Sequence, residues 1–188
     1  MTSSELVDIL SLESAAHLSS SPTLPPLLGE HDGAGLQVAV VCSRYNGTVT
    51  ERLLTGALDA LRGVGCVMDD VIVTWVPGAF ELPLATRSLI LSKGLDAAVC
   101  LAAVIKGETD HYYYVASQCA EGISRVQLDT GVPIGFGVLT TDNLEQALAR
   151  AGSGSDNKGF DAALAAVEMA TLLKQVGRGG NLSEKAVR

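Results

Sequence analysis

Four short apolar runs recur from residue 36 onward, and each is followed by a segment whose apolar residues have helical spacing. The runs are rich in β-branched residues and end at glycine, proline or polar residues, which is typical of buried strands. They predict strands over residues 36–42, 70–76, 96–105 and 132–140. The remaining segments predict helices over residues 48–65, 80–94, 110–130 and 158–177, with a shorter helix beginning near residue 142.

This alternation of strands and helices predicts an α/β fold. Because the runs are apolar on both faces, the sheet should be parallel and covered by helices on each side. We therefore predict a three-layer αβα sandwich around a four-stranded parallel sheet, and 188 residues fit one such domain. Two local signals mark helix ends. Asp142 lies three residues before Glu145, which predicts a capping box, and Gly177 predicts the end of the last helix.

The ends of the chain differ in composition from this alternating core. Serine and proline are frequent over residues 18–28, which is typical of a linker, while residues 5–12 could form a short helix or dock on another surface. We predict an N-terminal appendage over residues 1–27, a core domain over 28–178 and a C-terminal tail over 179–188. The chain has neither a basic, apolar secretory signal nor an apolar stretch of transmembrane length, and its Arg- and Lys-free beginning gives little support for a transit segment. We therefore expect a cytoplasmic protein without a membrane partner.

Charge and cysteine spacing argue against several classes of site. The net charge is −8, so the chain lacks the basic face of a general nucleic-acid binder, and any bound anion must be held by a few local cations. None of the four cysteines, Cys42, Cys66, Cys100 and Cys119, belongs to a CxxC pair, so we expect no metal site. No glycine-rich dinucleotide motif follows the first strand, and no Gly-x-Ser-x-Gly nucleophile turn is present.

Polar or aromatic residues follow each of the four predicted strands. These segments cover residues 43–47, 77–81, 106–111 and 140–143. Ligands bind at the carboxyl ends of the strands in such sheets, so we expect the segments to converge on one site. The segment 77–81 also precedes a helix, whose free N–H groups could bind carbonyl oxygens or anions, although an ordinary turn explains it equally well.

The segment 106–111 contains the best candidate for a catalytic side chain. A glycine turn leads into a helix that Thr109 or Asp110 would cap, and His111 falls in the first turn of that helix. Histidine at such a position could act as a general base, and the alternative is a solvent-exposed helix residue. The three tyrosines that follow cannot all face one way on a helix, so at least one should pack or contact another subunit.

Two cations flank a flexible loop near the end of the chain. Arg150 and Lys158 lie at two predicted helix ends, on either side of a stretch rich in glycine and serine. A guanidinium and an ammonium in this arrangement suit a phosphate group. The alternative is that both are solvated surface cations.

Five motifs occur in order along the chain. They are SRYN (43–46), PGAFELP (77–83), VIKGETDHYYYV (104–115), GVPIGFGVLTTDNLEQALARAG (131–152) and NKGFDAALAAVEMA (157–170). Together they resemble the 6,7-dimethyl-8-ribityllumazine synthase family of riboflavin biosynthesis, over about residues 28–176. Because the five motifs share one register, the resemblance is specific.

The resemblance implies a transferase that acts in the penultimate step of riboflavin biosynthesis. Its small-molecule substrates would be 5-amino-6-(D-ribitylamino)uracil and 3,4-dihydroxy-2-butanone 4-phosphate, which condense with release of phosphate and water and without a cofactor. The resemblance also implies a flavodoxin-like subunit in a homopentamer, with active sites between subunits. Some members build an icosahedral shell of sixty subunits, and the choice between pentamer and shell stays open. The alternative function is a non-catalytic flavin- or lumazine-binding protein, or a shell protein, on the same scaffold.

The resemblance further implies roles for individual residues. His111 is expected to transfer protons. The pyrimidine and ribityl groups are expected to contact Tyr45, Asn46, Ala79, Phe80, Glu81, Ala103, Val104, Ile105 and Phe136. The four-carbon phosphate is expected to contact Glu108, Thr109, Arg150 and Lys158. Phe136 and Arg150 would reach the site from a neighbouring subunit. One departure from the family pattern is Gly154, which stands where members often have a second loop lysine.

Overall fold

The computed structural model describes residues 11–19 and 26–183, and in them strands and helices alternate as the sequence predicts. The strands are β1 (Val38–Ser43), β2 (Val71–Val76), β3 (Ala97–Ile105) and β4 (Ile134–Thr141). The helices are α1 (Leu12–Ser19), α2 (Gly47–Gly63), α3 (Leu82–Lys93), α4 (His111–Thr130), α5 (Leu144–Ala149) and α6 (Lys158–Ser183). Short 3₁₀ helices cover Met68–Asp70, Ala79–Glu81 and Gly154–Asp156.

The four strands form one parallel sheet in the order β2-β1-β3-β4. Val38 of β1 pairs with Val71 of β2 on one side and with Ala97 of β3 on the other. Ala98 of β3 then pairs with Ile134 of β4. The inner strands β1 and β3 are almost entirely buried, whereas the edge strands β2 and β4 are partly exposed. The predicted four-stranded parallel sheet is confirmed.

Helices cover both faces of the sheet, because successive side chains of a strand point to opposite sides. On one face the sheet packs against α2 and α6, through a core that includes Val40, Leu53 and Val167. On the other face it packs against α3 and α4, through a core that includes Val41 and Ile123. Each fully buried side chain of this size stabilises the fold by about 1.5–3 kcal/mol relative to exposure. The predicted three-layer arrangement is therefore present.

The N-terminal cap of α5 differs from the prediction. The Asn143 side chain accepts a hydrogen bond from the Gln146 N–H at 2.9 Å, so Asn143 is the capping residue. The Gln146 side chain accepts in turn from the Asp142 N–H at 3.0 Å. The capping box predicted from Asp142 and Glu145 is wrong by one residue, because the chain enters the helix at Asn143, whose backbone is extended.

The end of the last helix also differs from the prediction. Gly94 (φ 66°) and Gly131 (φ 70°) adopt the left-handed conformation and follow α3 and α4 directly. Gly177 does not adopt this conformation, and α6 continues through it to Ser183. The helix end predicted at Gly177 is therefore wrong, since a glycine ends a helix where its backbone turns left-handed.

The approach to the first strand lies along α6. The Glu30 N–H donates to the Thr171 hydroxyl at 2.7 Å, and the Gln175 side chain donates to the Leu28 carbonyl at 2.8 Å. These contacts join positions that are 141 and 147 residues apart in the chain. They fix the path by which the chain enters β1.

Parts of the predicted terminal segments lie outside the described residues. These parts are residues 1–10, 20–25 and 184–188. They include most of the helix considered over residues 5–12 and much of the predicted linker, so the appendage and the tail stay predictions. No helix in the described part of the chain is long and apolar enough to cross a membrane.

Candidate active site

A cavity of about 390 Å³ opens at the carboxyl ends of β1 and β3, beside the turn that follows β2. Most of the residues predicted from the sequence line it, namely Tyr45, Asn46, Ala79, Ala103, Val104, Ile105, Thr109 and His111. Five further residues line it: Ser43, Gly78 and Gly107 belong to the segments predicted to converge there, whereas Tyr112 and Val115 were not predicted. Helical spacing could have revealed Val115, because it lies four residues after His111 on the same face of α4.

Asn46 anchors the loop that leaves β1. It is the one non-glycine residue with a positive φ (55°) in the described part of the chain, and it stands at the N-terminus of α2. Its side-chain amide donates a 2.7 Å hydrogen bond to the Ala103 carbonyl of β3. This bond ties the loop to the neighbouring strand and leaves the preceding residue, Tyr45, projecting from the turn with 73% of its surface exposed.

The turn after β2 supports the ring of Tyr45. The Tyr45 N–H donates to the Pro77 carbonyl at 3.2 Å, and the Gly78 N–H donates to the Glu81 carboxylate at 2.8 Å. A Cβ atom added at Gly78 would lie 3.1 Å from Tyr45 Cδ2, so the aromatic ring rests directly on the glycine. Glu81 was predicted to contact substrate, and in the structure its carboxylate holds this turn.

The last residues of β3 form an apolar wall of the cavity. Ala103 and Val104 are buried, and Ile105 is partly exposed at the end of the strand. The next residue, Lys106, donates its N–H to the Thr141 carbonyl at 2.8 Å, which carries the pairing with β4 past the end of β3. Small and aliphatic side chains here, opposite an exposed aromatic ring, suit a flat heterocycle.

His111 is the first residue of α4 and lines the cavity. Asp110 occupies the capping position, but its side chain makes no capping hydrogen bond; its backbone carbonyl accepts from the Tyr113 N–H at 3.0 Å. His111 is exposed, so a bound substrate can reach its imidazole. The predicted position of His111 in the first helical turn is confirmed.

The three tyrosines of α4 face different surroundings, as predicted. Tyr112 lines the cavity and packs on the sheet, whereas Tyr114 is 70% exposed. Tyr113 meets Tyr112 edge to face, with ring centroids 5.3 Å apart. The Lys106 ammonium lies 5.7 Å from the centroid of the Tyr113 ring, and a hydrogen bond with Tyr113 raises the pKa of Lys106.

Three of the predicted site residues lie away from this cavity. Phe136 of β4 is 47% exposed and borders a second depression, of about 420 Å³, together with Lys158 of α6. Arg150 follows α5, and its guanidinium donates to the Gln146 carbonyl at 3.1 Å. The Lys158 ammonium pairs with the Asp161 carboxylate at 2.7 Å, a partner that the sequence reading missed.

Two more predicted residues lie at the edge of the cavity rather than in its lining. Phe80 is 59% exposed on the turn after β2, and Glu108 is exposed on the turn after β3. Among the residues that the structure describes, no lysine or arginine lines the cavity. The cavity thus presents an aromatic and apolar surface with a histidine, and the candidate phosphate-binding cations stand elsewhere.

Comparison with known proteins decides the family. Residues 35–174 match the family model described as 6,7-dimethyl-8-ribityllumazine synthase. The chain belongs to the 6,7-dimethyl-8-ribityllumazine synthase family. Curated relatives named 6,7-dimethyl-8-ribityllumazine synthase, from two strains of Clostridium kluyveri, are each 45% identical to it over 148 residues. These matches cover 79% of this chain and 96% of each relative, so the resemblance drawn from the five motifs is confirmed.

Membership of the lumazine synthase family fits the position of the cavity. All five motifs of the resemblance lie on the part of the chain that matches the family. Three of them contain residues that line the cavity, and these motifs lie at the ends of β1, β2 and β3. The other two carry Phe136, Arg150 and Lys158, which stand outside it.

Proposed function

We propose that the chain catalyses the synthesis of 6,7-dimethyl-8-ribityllumazine from 5-amino-6-(D-ribitylamino)uracil and 3,4-dihydroxy-2-butanone 4-phosphate, as a cytoplasmic enzyme. The observation that carries the proposal is the cavity at the strand ends, which gathers an exposed aromatic ring, an apolar wall and His111. Family membership and the name of the 45% identical relatives support the same reaction.

The aminouracil is proposed to bind between Tyr45 and the end of β3. Stacking on the Tyr45 ring would orient the pyrimidine, and Ala103 to Ile105 would cover its other face. An aromatic contact of this kind contributes about 0.5–1.5 kcal/mol beyond the burial of surface. The turn N–H groups near Ala79 are available to hydrogen-bond the ring carbonyls. Asn46 and Glu81 then act mainly by holding the two turns, through their contacts with Ala103 and Gly78.

The reaction itself needs positioning and proton transfer. The primary amine attacks the ketone and an imine forms with loss of one water; phosphate is then eliminated, and ring closure releases a second water. His111 lines the cavity and would carry protons in these steps; Thr109 lines the cavity with it, and Glu108 is exposed on the preceding turn. Holding two small substrates in contact can supply much of the rate. We therefore expect His111 to contribute about 100-fold or less, at the low end of general acid–base catalysis.

The phosphate group is proposed to be bound by a neighbouring subunit. The described lining of the cavity contains no lysine or arginine, whereas Arg150 and Lys158 lie next to one another on another part of the surface. A homopentamer in which Phe136, Arg150 and Lys158 of one subunit face the cavity of the next would complete the site. Guanidinium and ammonium groups suit this task, since charge-assisted hydrogen bonds to phosphate are strong.

The test is an activity assay with the purified full chain. Both substrates are mixed with the protein, and the product is followed by its absorbance. We expect a rate well above the spontaneous reaction, and a higher KM for the butanone phosphate in Arg150→Ala. Arg125→Ala is the matched control, because Arg125 is 81% exposed on α4 and pairs only with Asp129 at 3.5 Å among the contacts described. A rate equal to the spontaneous reaction would refute the proposal, and tight riboflavin binding without turnover would favour the non-catalytic alternative.

A further inference from the structure

Asn157 is a buried side chain whose hydrogen-bonding capacity is fully used. It is 1% exposed and immediately precedes α6. Its amide nitrogen donates to the Arg52 carbonyl at 2.8 Å and to the Gly152 carbonyl at 2.9 Å. Its amide oxygen accepts from the Gly159 N–H at 2.9 Å and the Phe160 N–H at 3.3 Å. A carboxamide has two N–H donors and two lone-pair directions, so no further partner can be added.

These four bonds join three separate parts of the chain. Two of them cap the first turn of α6, as asparagine often does at a helix N-terminus. The bond to Arg52 reaches α2, 105 residues away, and the bond to Gly152 reaches the loop between α5 and α6. An ordinary helix cap needs only the oxygen. The two amide donors therefore have a separate effect, which is to fix the loop against α2.

Close packing leaves this amide no alternative position. A Cβ atom added at Gly56 of α2 would clash with the Asn157 side chain, and one added at Gly159 would clash with the Leu53 carbonyl. Glycine at both positions lets α2, the amide and the start of α6 approach one another. The loop contains two glycines, Gly152 and Gly154, and is closed by backbone hydrogen bonds of its own. The amide contact adds a fixed point that ties this closed loop to α2.

Two cations flank the loop that this contact ties to α2. The Lys158 N–H donates to the Arg150 carbonyl at 2.9 Å, and Ala151 pairs with Asn157 in an antiparallel bridge. Arg150 and Lys158 are thus the two residues that flank the closed loop, one at each end. Lys158 follows Asn157 directly in the chain, and its backbone N–H holds the Arg150 carbonyl on the other side of the loop.

We propose that Asn157 is the positioning residue for the Arg150 and Lys158 pair, so that its amide donors set the geometry with which the pair binds the phosphate of the four-carbon substrate. This inference rests on the proposed function, because that function gives the pair its ligand. Asn157 contacts no substrate; it acts by holding both ends of the loop. Its loss should impair the binding of the phosphate substrate and spare the binding of the aminouracil, which occupies the cavity at the strand ends.

The main test variant is Asn157→Ser, which keeps an oxygen able to cap α6 and removes both amide donors. We expect the KM for the butanone phosphate to rise about tenfold, since a displacement of about 1 Å far from the chemistry can cost up to about 100-fold. The KM for the aminouracil should change by less than about twofold on the same reasoning. Backbone N–H groups of residues 151–157 should also exchange with deuterium faster, because the loop loses its anchor.

A second variant and a control separate positioning from general destabilisation. Asn157→Asp keeps the shape and the capping oxygen but turns an oxygen toward the carbonyls of Arg52 and Gly152; it should raise the same KM further. Thr86→Val is the control, because Thr86 is fully buried on α3 and contacts Cys100 Sγ at 3.2 Å on the other face of the sheet. We expect it to lower the melting temperature without changing the ratio of the two KM values.

The outcomes distinguish this inference from the proposed function. A wild-type chain without activity would refute both. The wild type could be active while the folded Asn157→Ser and Asn157→Asp variants leave both KM values unchanged or raise both equally. That result would overturn the positioning role and leave the proposed function standing. In an Arg150→Ala background the effect of Asn157→Ser on the phosphate KM should shrink, because one of the two positioned cations is gone. Full additivity of the two substitutions would also contradict the inference.

Discussion

Replacing Gly78 with alanine should weaken binding of the aminouracil with little effect on stability. The backbone of Gly78 is extended (φ −144°, ψ −177°), a conformation that alanine adopts freely, so the substitution adds only a methyl group. That methyl group would lie 3.1 Å from Tyr45 Cδ2 and 3.2 Å from the Glu81 carboxylate. Both distances are shorter than the about 3.5–4.0 Å at which carbon atoms attract best, so the ring and the carboxylate must move.

The size of the effect follows from how easily the Tyr45 ring can move. Because the ring is 73% exposed, it can turn away without breaking the core. A turn of about 30° from its rotamer costs about 0.5–1.5 kcal/mol. If about 1 kcal/mol of this is lost from substrate stacking, the KM for the aminouracil rises about fivefold. Alanine also restricts the unfolded chain, which stabilises the folded protein by about 0.4–1 kcal/mol. This gain offsets much of the strain energy, so the free energy of unfolding should change little.

The assay varies each substrate in turn at saturating concentration of the other. Gly78→Ala should raise the KM for the aminouracil and leave the KM for the butanone phosphate unchanged. Gly63→Ala is the matched control, because a Cβ atom there meets nothing within 4 Å and the residue lies at the far end of α2. The reasoning is refuted by an unchanged KM for the aminouracil, or by a rise in the KM for the phosphate substrate alone.

Further predictions concern the turn, the core and the thiols. Glu81→Gln should raise the KM for the aminouracil about tenfold or less, because a neutral amide oxygen holds the Gly78 N–H more weakly than a carboxylate; an unchanged KM would mean that this bond does not support aminouracil binding. Leu53→Ala should lower the free energy of unfolding by about 2–5 kcal/mol in denaturant titrations, since Leu53 is fully buried; a loss well below that range would mean that the cavity collapses. Burial raises the pKa of Cys42, Cys100 and Cys119 from 9.0 to about 12, so these thiols should resist alkylation of the folded protein at neutral pH. Since the unfolded thiols ionise first, the free energy of unfolding should fall as the pH rises from 9.0 toward about 12, and a flat profile there would contradict the burial.

The sequence predicts the sheet well because its signals are local. Apolar β-branched runs such as residues 96–105 can be buried on both faces only in a covered parallel sheet, and β3 occupies residues 97–105 of that run. Helix ends are less predictable, because several neighbouring residues can cap. Asp142 and Asn143 are both good capping residues, and only the path of the chain selects Asn143.

The candidate site is predictable only in part, and the missing part depends on distant contacts. Residues that follow a strand, such as Tyr45 and His111, are found because strand ends converge. No local pattern marks Asn157 as a positioning residue, because its bond to Arg52 spans 105 residues. Glu81 was expected at the substrate, and its bond to the Gly78 N–H depends on a turn geometry that composition does not reveal.

The central claim is that each active site combines two subunits. It is tested most directly by mixing two impaired variants, His111→Ala and Arg150→Ala, during refolding or co-expression, and by assaying the mixture at a low concentration of the butanone phosphate. If the histidine and the arginine come from different subunits, random mixing restores about a quarter of the sites, and activity in the mixture exceeds that of either variant alone. If both residues serve the site of their own chain, every site lacks one group, and the mixture shows no more activity than the average of the two variants.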